Sequence, residues 1–517
     1  MYQKNITKFF FYLILFNVFF SKNNTLLAQN KDIFQKIFSD STENNTNILP
    51  KTASTLDSTH FFIIDEINFK GNKKTKISIL TRELAIKIGD TLSKQNIDAI
   101  LLKERNKIFN TNLFVVVKPS IKISKTEVLP VFDTNKKLIH TNHIEKITVL
   151  FILQERWYWF PVVIFELADR NFNEWWNDRG RDLGRTNFGG RLTLGNVRGR
   201  NENLSVLLQF GFTPKVSFSY QIPYIDKRQK YGLGFNIVYA RNKQIAYQTE
   251  NNKLTFLKSE KILRERFQTS ISITRRENFY TTHSAELKYS RFKVDDTILQ
   301  LNSNYHLDKN TQQNFFQLSY SFVHDRRDVQ YYPLKGYRFE GNITKLGLSN
   351  LDDINLTSVY ANIAHFKPLS KRFYSDITVS GRVFYGNKQP YAQAQGLGYG
   401  ADLLRGYQLY VIDGQSYALL KPTLKYELFK VEKYVKWIPI QQFRTFPVSA
   451  YARIYTDIGY ITDKNASKTN NQLANQFLYT TGVGIDIVSF YNLVLQFDYS
   501  INKQQETGFF FGINSAF

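Results

Sequence analysis

The stretch Gly396–Leu428, GLGYGADLLRGYQLYVIDGQSYALLKPTLKYEL, decides the fold. Glycine punctuates its first half, and Arg405-Gly406-Tyr407 stands at its centre. Its second half alternates. Ala418, Leu420, Pro422, Leu424, Tyr426 and Leu428 form one row; Leu419, Lys421, Thr423, Lys425 and Glu427 form the other. A period of two is a strand whose side chains leave on opposite faces. No polar residue interrupts the first row, so that face meets an apolar medium. An Arg at the tip of a long loop feeding such a strand needs a polar destination. The inside of a membrane β-barrel supplies one.

The same alternation recurs through the C-terminal two thirds of the chain. At Val448–Gly459, Val448, Ala450, Ala452, Ile454 and Ile458 fall on one face. Ser449, Tyr451, Arg453, Tyr455, Asp457 and Gly459 fall on the other. Tyr491–Ser500 and Gly508–Phe517 repeat the pattern. About sixteen such segments follow residue 160, centred near Ile164, Leu192, Leu207, Ser217, Phe235, Ser270, Leu287, Leu318, Arg338, Val359, Thr378, Thr423, Ala452, Thr481, Leu495 and Gly512. They lie roughly 22 residues apart, room for a ~10-residue strand and its turn. An even number of antiparallel strands closes without a free edge. A soluble sandwich also alternates, but this length would demand several domains with linkers, and no linker composition interrupts the region.

Composition agrees. Aromatic residues make up 15% of the chain while the mean hydropathy is only −0.34, as suits a barrel in which every second residue meets lipid. No run of ~20 apolar residues follows the N-terminus, which excludes a helical bundle in the membrane. The absence of Cys excludes disulfides, a lipid anchor on Cys and thiolate metal sites. A net charge of +24 on an exported chain points to anionic lipid and lipopolysaccharide phosphate rather than to nucleic acid.

Residues 1–28 read as a signal peptide: Lys4 and Lys8, the apolar run Phe9–Phe20, and Leu26-Leu27-Ala28 before Gln29. Residues 29–59 are rich in Asn, Ser, Thr and Asp without periodicity, which reads as a flexible linker. Residues 60–160 differ. Phe61–Phe69 reads as a strand ended by Gly71-Asn72. Ile79, Leu80, Leu84 and Ile88 sit at helical spacing within Thr75–Ile88. Ser93 is an N-cap candidate for a second helix through Ile97, Ile100, Leu101 and Ile108, and Leu113–Ile123 and Ile144–Gln154 are two further strands. The expected order is β-α-α-β-β, a small α+β domain ahead of a barrel spanning 161–517.

An α+β module in that position resembles a POTRA domain, and INFKGNKKTKISILTRELAIKIGD (67–90) is similar to that domain's first strand, turn and helix. Arg405-Gly406-Tyr407 resembles the Arg-Gly-aromatic loop motif of the BamA/TamA superfamily of outer-membrane proteins, whose barrel is of the bacterial surface antigen type. Tyr455-Thr456-Asp457-Ile458-Gly459 resembles its aromatic-x-Asp-x-Gly strand motif. The resemblance implies that the loop folds into the lumen. A buried guanidinium needs a carboxylate, so Asp457, inward by parity, is the first acceptor expected and Glu427 the second. Asp325-Arg326-Arg327-Asp328 with Pro333 and Gly336 resembles a family pattern before a barrel strand, a periplasmic turn in which Asp325, Arg327, Pro333 and Gly336 carry the motif. Glu155–Pro161 resembles the junction between domain and barrel, and the terminal Phe517 resembles a barrel-assembly signal.

The resemblance implies an outer-membrane insertase or translocator that assists assembly of outer-membrane proteins or exports polypeptides. A passive pore for small solutes or a dedicated two-partner-type secretion translocator are the alternatives. Its partners would be unfolded outer-membrane or secreted polypeptides, outer-membrane lipid, and accessory periplasmic proteins. The domain would sit in the periplasm, where client segments would extend its sheet edge. Neither a nucleophile motif, a cofactor-binding loop nor a metal-ligand spacing stands out, and the seven His are scattered. A non-enzymatic protein without cofactor or metal is expected.

Overall fold

The computed structural model describes residues 60–132, 138–169, 172–349, 352–386, 388–400, 402–435, 444–467, 470–489 and 492–514. The expected signal peptide and linker, and Phe517, lie outside these residues.

The N-terminal domain is built from β1 (His60–Lys70), α1 (Ile77–Glu83), β2 (Thr91–Ser93), α2 (Ile97–Phe109), β3 (Phe114–Phe132) and β4 (Leu138–Glu155). Its sheet runs β2-β1-β4-β3, with β1 parallel to β4 and antiparallel to β2. Ile79 and Leu80 of α1 and Leu101 and Ile108 of α2 lie at helical spacing, so each helix presents one apolar stripe to the sheet. Ile64, Val117, Val149 and Phe151 meet them there.

Two expectations are corrected. The first helix ends at Glu83 rather than Ile88, because Leu84 turns extended and the Ala85 N–H donates to the buried Glu104 carboxylate at 2.7 Å. Ser93 is no N-cap. It ends the short edge strand β2, and α2 begins at Ile97 after Asn96.

Sixteen antiparallel strands follow. Going up from the domain and back they are β5 (Trp159–Leu167), β6 (Thr186–Leu194), β7 (Asn203–Gly211), β8 (Lys215–Ile222) and β9 (Tyr231–Asn242). A separate hairpin, β10 (Gln244–Glu250) with β11 (Lys253–Lys258), stands in the next connection. The sheet then continues with β12 (Arg264–Arg276), β13 (Thr281–Val294), β14 (Gln312–Asp325), β15 (Gly336–Leu346), β16 (Leu356–Pro368) and β17 (Phe373–Tyr385). It ends with β18 (Ser416–Tyr434), β19 (Thr445–Thr462), β20 (Phe477–Ser489), β21 (Val494–Asn502) and β22 (Thr507–Asn514). Each expected centre falls in a different strand of this sheet, and β5 begins at Trp159, two residues before the boundary expected at 161. The hairpin β10–β11 was not anticipated.

Every strand pairs with its neighbour along the sheet, from β22 round to β5. Among the described residues no ladder joins β5 to β22. The helix α3 (Phe172–Asn177), in the connection after β5, lies against β22. The outer face is apolar: Ile271, Ile273, Leu287, Leu318, Ile363 and Ile454 are all exposed there, as a bilayer-spanning barrel requires.

The domain is docked on the barrel turns at its own end. Arg276 at the end of β12 clamps the buried Glu83 with Nη2 at 2.6 Å, and the Tyr224 hydroxyl donates to the same carboxylate at 3.4 Å. Arg82 lays its guanidinium 4.0 Å from the Tyr224 ring. In the β6–β7 turn, Asn196 donates to the Thr75 hydroxyl at 2.9 Å. Asn110 donates to the Asp328 carbonyl in the β14–β15 turn at 3.2 Å. Arg156 and Asn112 both bond Asn492 in the β20–β21 turn, each at 3.0 Å.

Candidate functional site

The connection between β17 and β18 carries the Gly-rich stretch. It is pinched at its base where Leu397 and Ile412 exchange backbone hydrogen bonds at 2.9 and 3.0 Å. Beyond the pinch it buries Leu397, Leu404, Tyr407 and Ile412 against Leu419 of β18, Ile461 of β19 and Leu478 of β20. This apolar cluster holds the loop against the inner wall and delivers Arg405 to β18 and β19.

There the Arg405 Nε donates to Asp457 Oδ2 at 2.9 Å, and the Arg405 backbone N–H reaches the same oxygen at 3.0 Å. Arg405 Nη2 donates to the Thr423 hydroxyl at 3.2 Å. The guanidinium also covers the Tyr455 ring at 3.8 Å. Asp457 is fully buried. A carboxylate so far from water is tolerated because it takes a charge-assisted fork and a backbone donor together.

The strand motif has a physical reading residue by residue. Tyr455 is the platform under the guanidinium and Asp457 the acceptor. Gly459 leaves room for the loop: a Cβ there would stand 2.8 Å from Leu404. Gly406 has φ +84°, a left-handed conformation that side chains disfavour, and a Cβ there would meet the Thr480 hydroxyl at 2.5 Å. Tyr407 is buried and donates its hydroxyl to Gln504 at 2.8 Å, tying the tip to the β21–β22 connection.

Glu427 is not an acceptor for Arg405. It lies four residues beyond Thr423 on β18, ~13 Å along the strand, and its carboxylate takes the Tyr451 hydroxyl at 3.3 Å. Thr423 provides the second contact instead.

Deeper in the lumen a second charged set was not singled out from sequence. Arg453 reaches Asp486 at 3.1 Å and Asp498 at 2.9 Å, and Lys425 pairs with Asp376 at 2.8 Å. Strand parity turns all of these inward and is the signal that could have found them.

The turn motif lies at the domain end of the lumen. Asp325 accepts from Arg327 Nε at 2.8 Å and Nη2 at 2.6 Å, while Asp328 accepts from the backbone N–H groups of Leu334 and Lys335 that flank it after Pro333. Gly336 then starts β15. So braced, the turn sends Tyr332 inward, where its hydroxyl donates to Asp486 at 2.8 Å and its ring packs 4.9 Å from Tyr451. At the opposite end, burial pushes the Asp413 carboxyl up to about 6, and the Tyr399 hydroxyl donates to it. Among the described residues no group of three His, Asp or Glu is arranged to hold a metal ion.

Two family models match the chain. The Omp85 superfamily domain matches residues 196–517, and the POTRA model, described as a surface antigen variable number repeat, matches 62–155. No curated protein matches in sequence. Among solved structures, BamA from Haemophilus ducreyi lacking POTRA domains 1-3 is 14% identical, covering 87% of this chain and 84% of its own, with a TM-score of 0.47. CdiB from Escherichia coli is 10% identical, covering 95% and 97%, with a TM-score of 0.46. CdiB from Acinetobacter baumannii is 13% identical, covering 88% and 73%, with a TM-score of 0.43.

Proposed function

The chain belongs to the Omp85 superfamily, an outer-membrane barrel behind a periplasmic POTRA domain, and from that premise we propose that it inserts polypeptide into the outer membrane through the seam between β5 and β22. The observation that carries this reading is the sheet order, in which neighbours pair all round and no ladder joins the two ends among the described residues. Lipid cannot satisfy free backbone groups, so a strand edge facing the bilayer is costly unless another strand takes it up. Such an edge templates an incoming chain. The reading includes no catalytic role.

The lumen supports passage less well than the seam. The Arg405 loop occupies one side of it, and the turn carrying Tyr332 crosses its periplasmic end. Both features also weigh against a passive pore. Export of a dedicated partner through the lumen would require the Arg405–Asp457 pair to part.

The test uses the Cys-free background: Val163→Cys on β5 and Phe511→Cys on β22, oxidised and then reduced. Loss of client assembly on oxidation, restored by reduction, supports the seam. Full activity with a quantitative crosslink rejects it and moves the polypeptide into the lumen.

A further inference from the structure

The lipid-facing wall is uneven in charge at its extracellular end. Turns at the other end touch the periplasmic domain, so strand ends remote from it mark the outer leaflet. On β9, β12 and β13 the outward row climbs from Phe235, Ile271 and Leu287 to Tyr239, Phe267 and Tyr289, an apolar band under an aromatic girdle. Arg291 stands in the girdle row, opposite Phe267, and Arg241 and Lys293 come one step above it, all three exposed. The corresponding outward positions on β16 to β20 are Thr357, Tyr385, Ser416, Thr462 and Phe477, none of them charged. The rim over β9 to β13 is thus more cationic than the rim over β16 to β20.

Register places these groups side by side. Glu265 stands directly opposite Arg241 on one flank and Lys293 on the other, and Arg291 lies two residues below Lys293 on the same face. Side chains directly opposite are ~5 Å apart at Cβ. Glu265 offsets one of the three positive charges and accepts from the Tyr239 hydroxyl at 3.4 Å. Arg291 Nη2 donates to Gln312 at 3.0 Å, which ties the guanidinium to the neighbouring strand. Among the described residues none of the three cations makes a salt bridge, whereas Lys243, just beyond, pairs with Glu260 at 3.4 Å.

We propose that Arg241, Arg291 and Lys293 form a binding site for the phosphate groups of the anionic glycolipid in the outer leaflet. At the upper edge of an aromatic girdle the bilayer presents phosphates on sugar, and two guanidinium forks with an ammonium match them in charge and geometry. The site is independent of the seam, since it lies on strands remote from both β5 and β22 along the sheet.

The test is native mass spectrometry of the full chain in detergent, titrated with bisphosphorylated lipid A, dephosphorylated lipid A, phosphatidylglycerol and inorganic phosphate. Wild type is expected to bind the bisphosphorylated form at least about ten-fold more tightly than the dephosphorylated one. The triple variant Arg241→Gln, Arg291→Gln, Lys293→Gln loses that preference while keeping the wild-type shift between heated and unheated electrophoretic mobility. Glu265→Gln, which removes the opposing charge, binds more tightly than wild type. Equal binding by wild type and the triple variant overturns the proposal. So does equal competition by phosphatidylglycerol or inorganic phosphate, which would make the sector a general anion surface.

Discussion

The two sides of the lumen are made of different chemistry. From β17 to β21 the wall carries Asp376, Lys425, Arg453, Asp457, Asp486 and Asp498, nearly all buried. From β12 to β15 it carries Ser272, Thr274, Ser284, Ser319, Ser321 and Thr344, lining a cavity of about 410 Å³ in which Glu286 is the one charged group. Charges withdrawn from water must find partners in fixed geometry, so the first wall dictates where the loop lies. Hydroxyls exchange partners at little cost. Ser319 and Thr344 lie 3.0 Å apart and Asn342 donates to Ser321 at 2.6 Å, contacts that bind the wall only to itself. One side of the barrel therefore anchors the loop, and the hydroxyl-lined stretch of the other holds no loop in place.

The sharpest way to break this contrast is at the anchor. Arg405→Ala or Asp457→Asn strands a buried partner, at a local cost of ~3–5 kcal/mol. Limited proteolysis of intact barrels should then cut within 396–415 far faster than in wild type. Cleavage at the wild-type rate in both variants would mean that the apolar cluster alone holds the loop. Next comes Arg453→Gln. Asp486 keeps the Tyr332 hydroxyl and Gln496 as donors, so the loss should be about 1–3 kcal/mol in denaturant unfolding, with the loop still protected. Loop release by this change would merge the two charged sets into one. Smallest is Ser319→Ala on the opposite wall, at about 0.5–1.5 kcal/mol with no change in loop cleavage. A larger effect there would end the distinction between the walls.

Alternation made the barrel legible because it is a local property: a period of two announces a strand without any knowledge of its neighbours. The sixteen centres followed from it, and so did the inward face of Asp457. What depends on distant partners was hidden. Glu83 meets Arg276 across 193 positions, and nothing in RELAIKIGD announces that its Glu will be buried by a barrel strand. The early end of α1 is set by Glu104, nineteen residues away. The hairpin β10–β11 shares its period of two with the barrel strands, so alternation does not say which of them join the sheet. Glu427 has the right parity but the wrong height, and height along a strand comes only with the loop's path.

The contacts between the domain and the barrel turns straddle the seam. Asn196 lies in the turn beside β5, Asn492 in the turn before β21, and both are tied to the same small domain. That arrangement is a clothes-peg. The two jaws are stapled together at the periplasmic end, so parting them there means breaking hydrogen bonds to the domain, while at the far end α3 lies against β22. A seam that parted under the proposed function would therefore open as a wedge, widest beneath the outer leaflet and narrowest at the domain. Spin labels paired across the seam at each end would show it: a distance distribution that broadens equally at both ends would mean the peg has no spring.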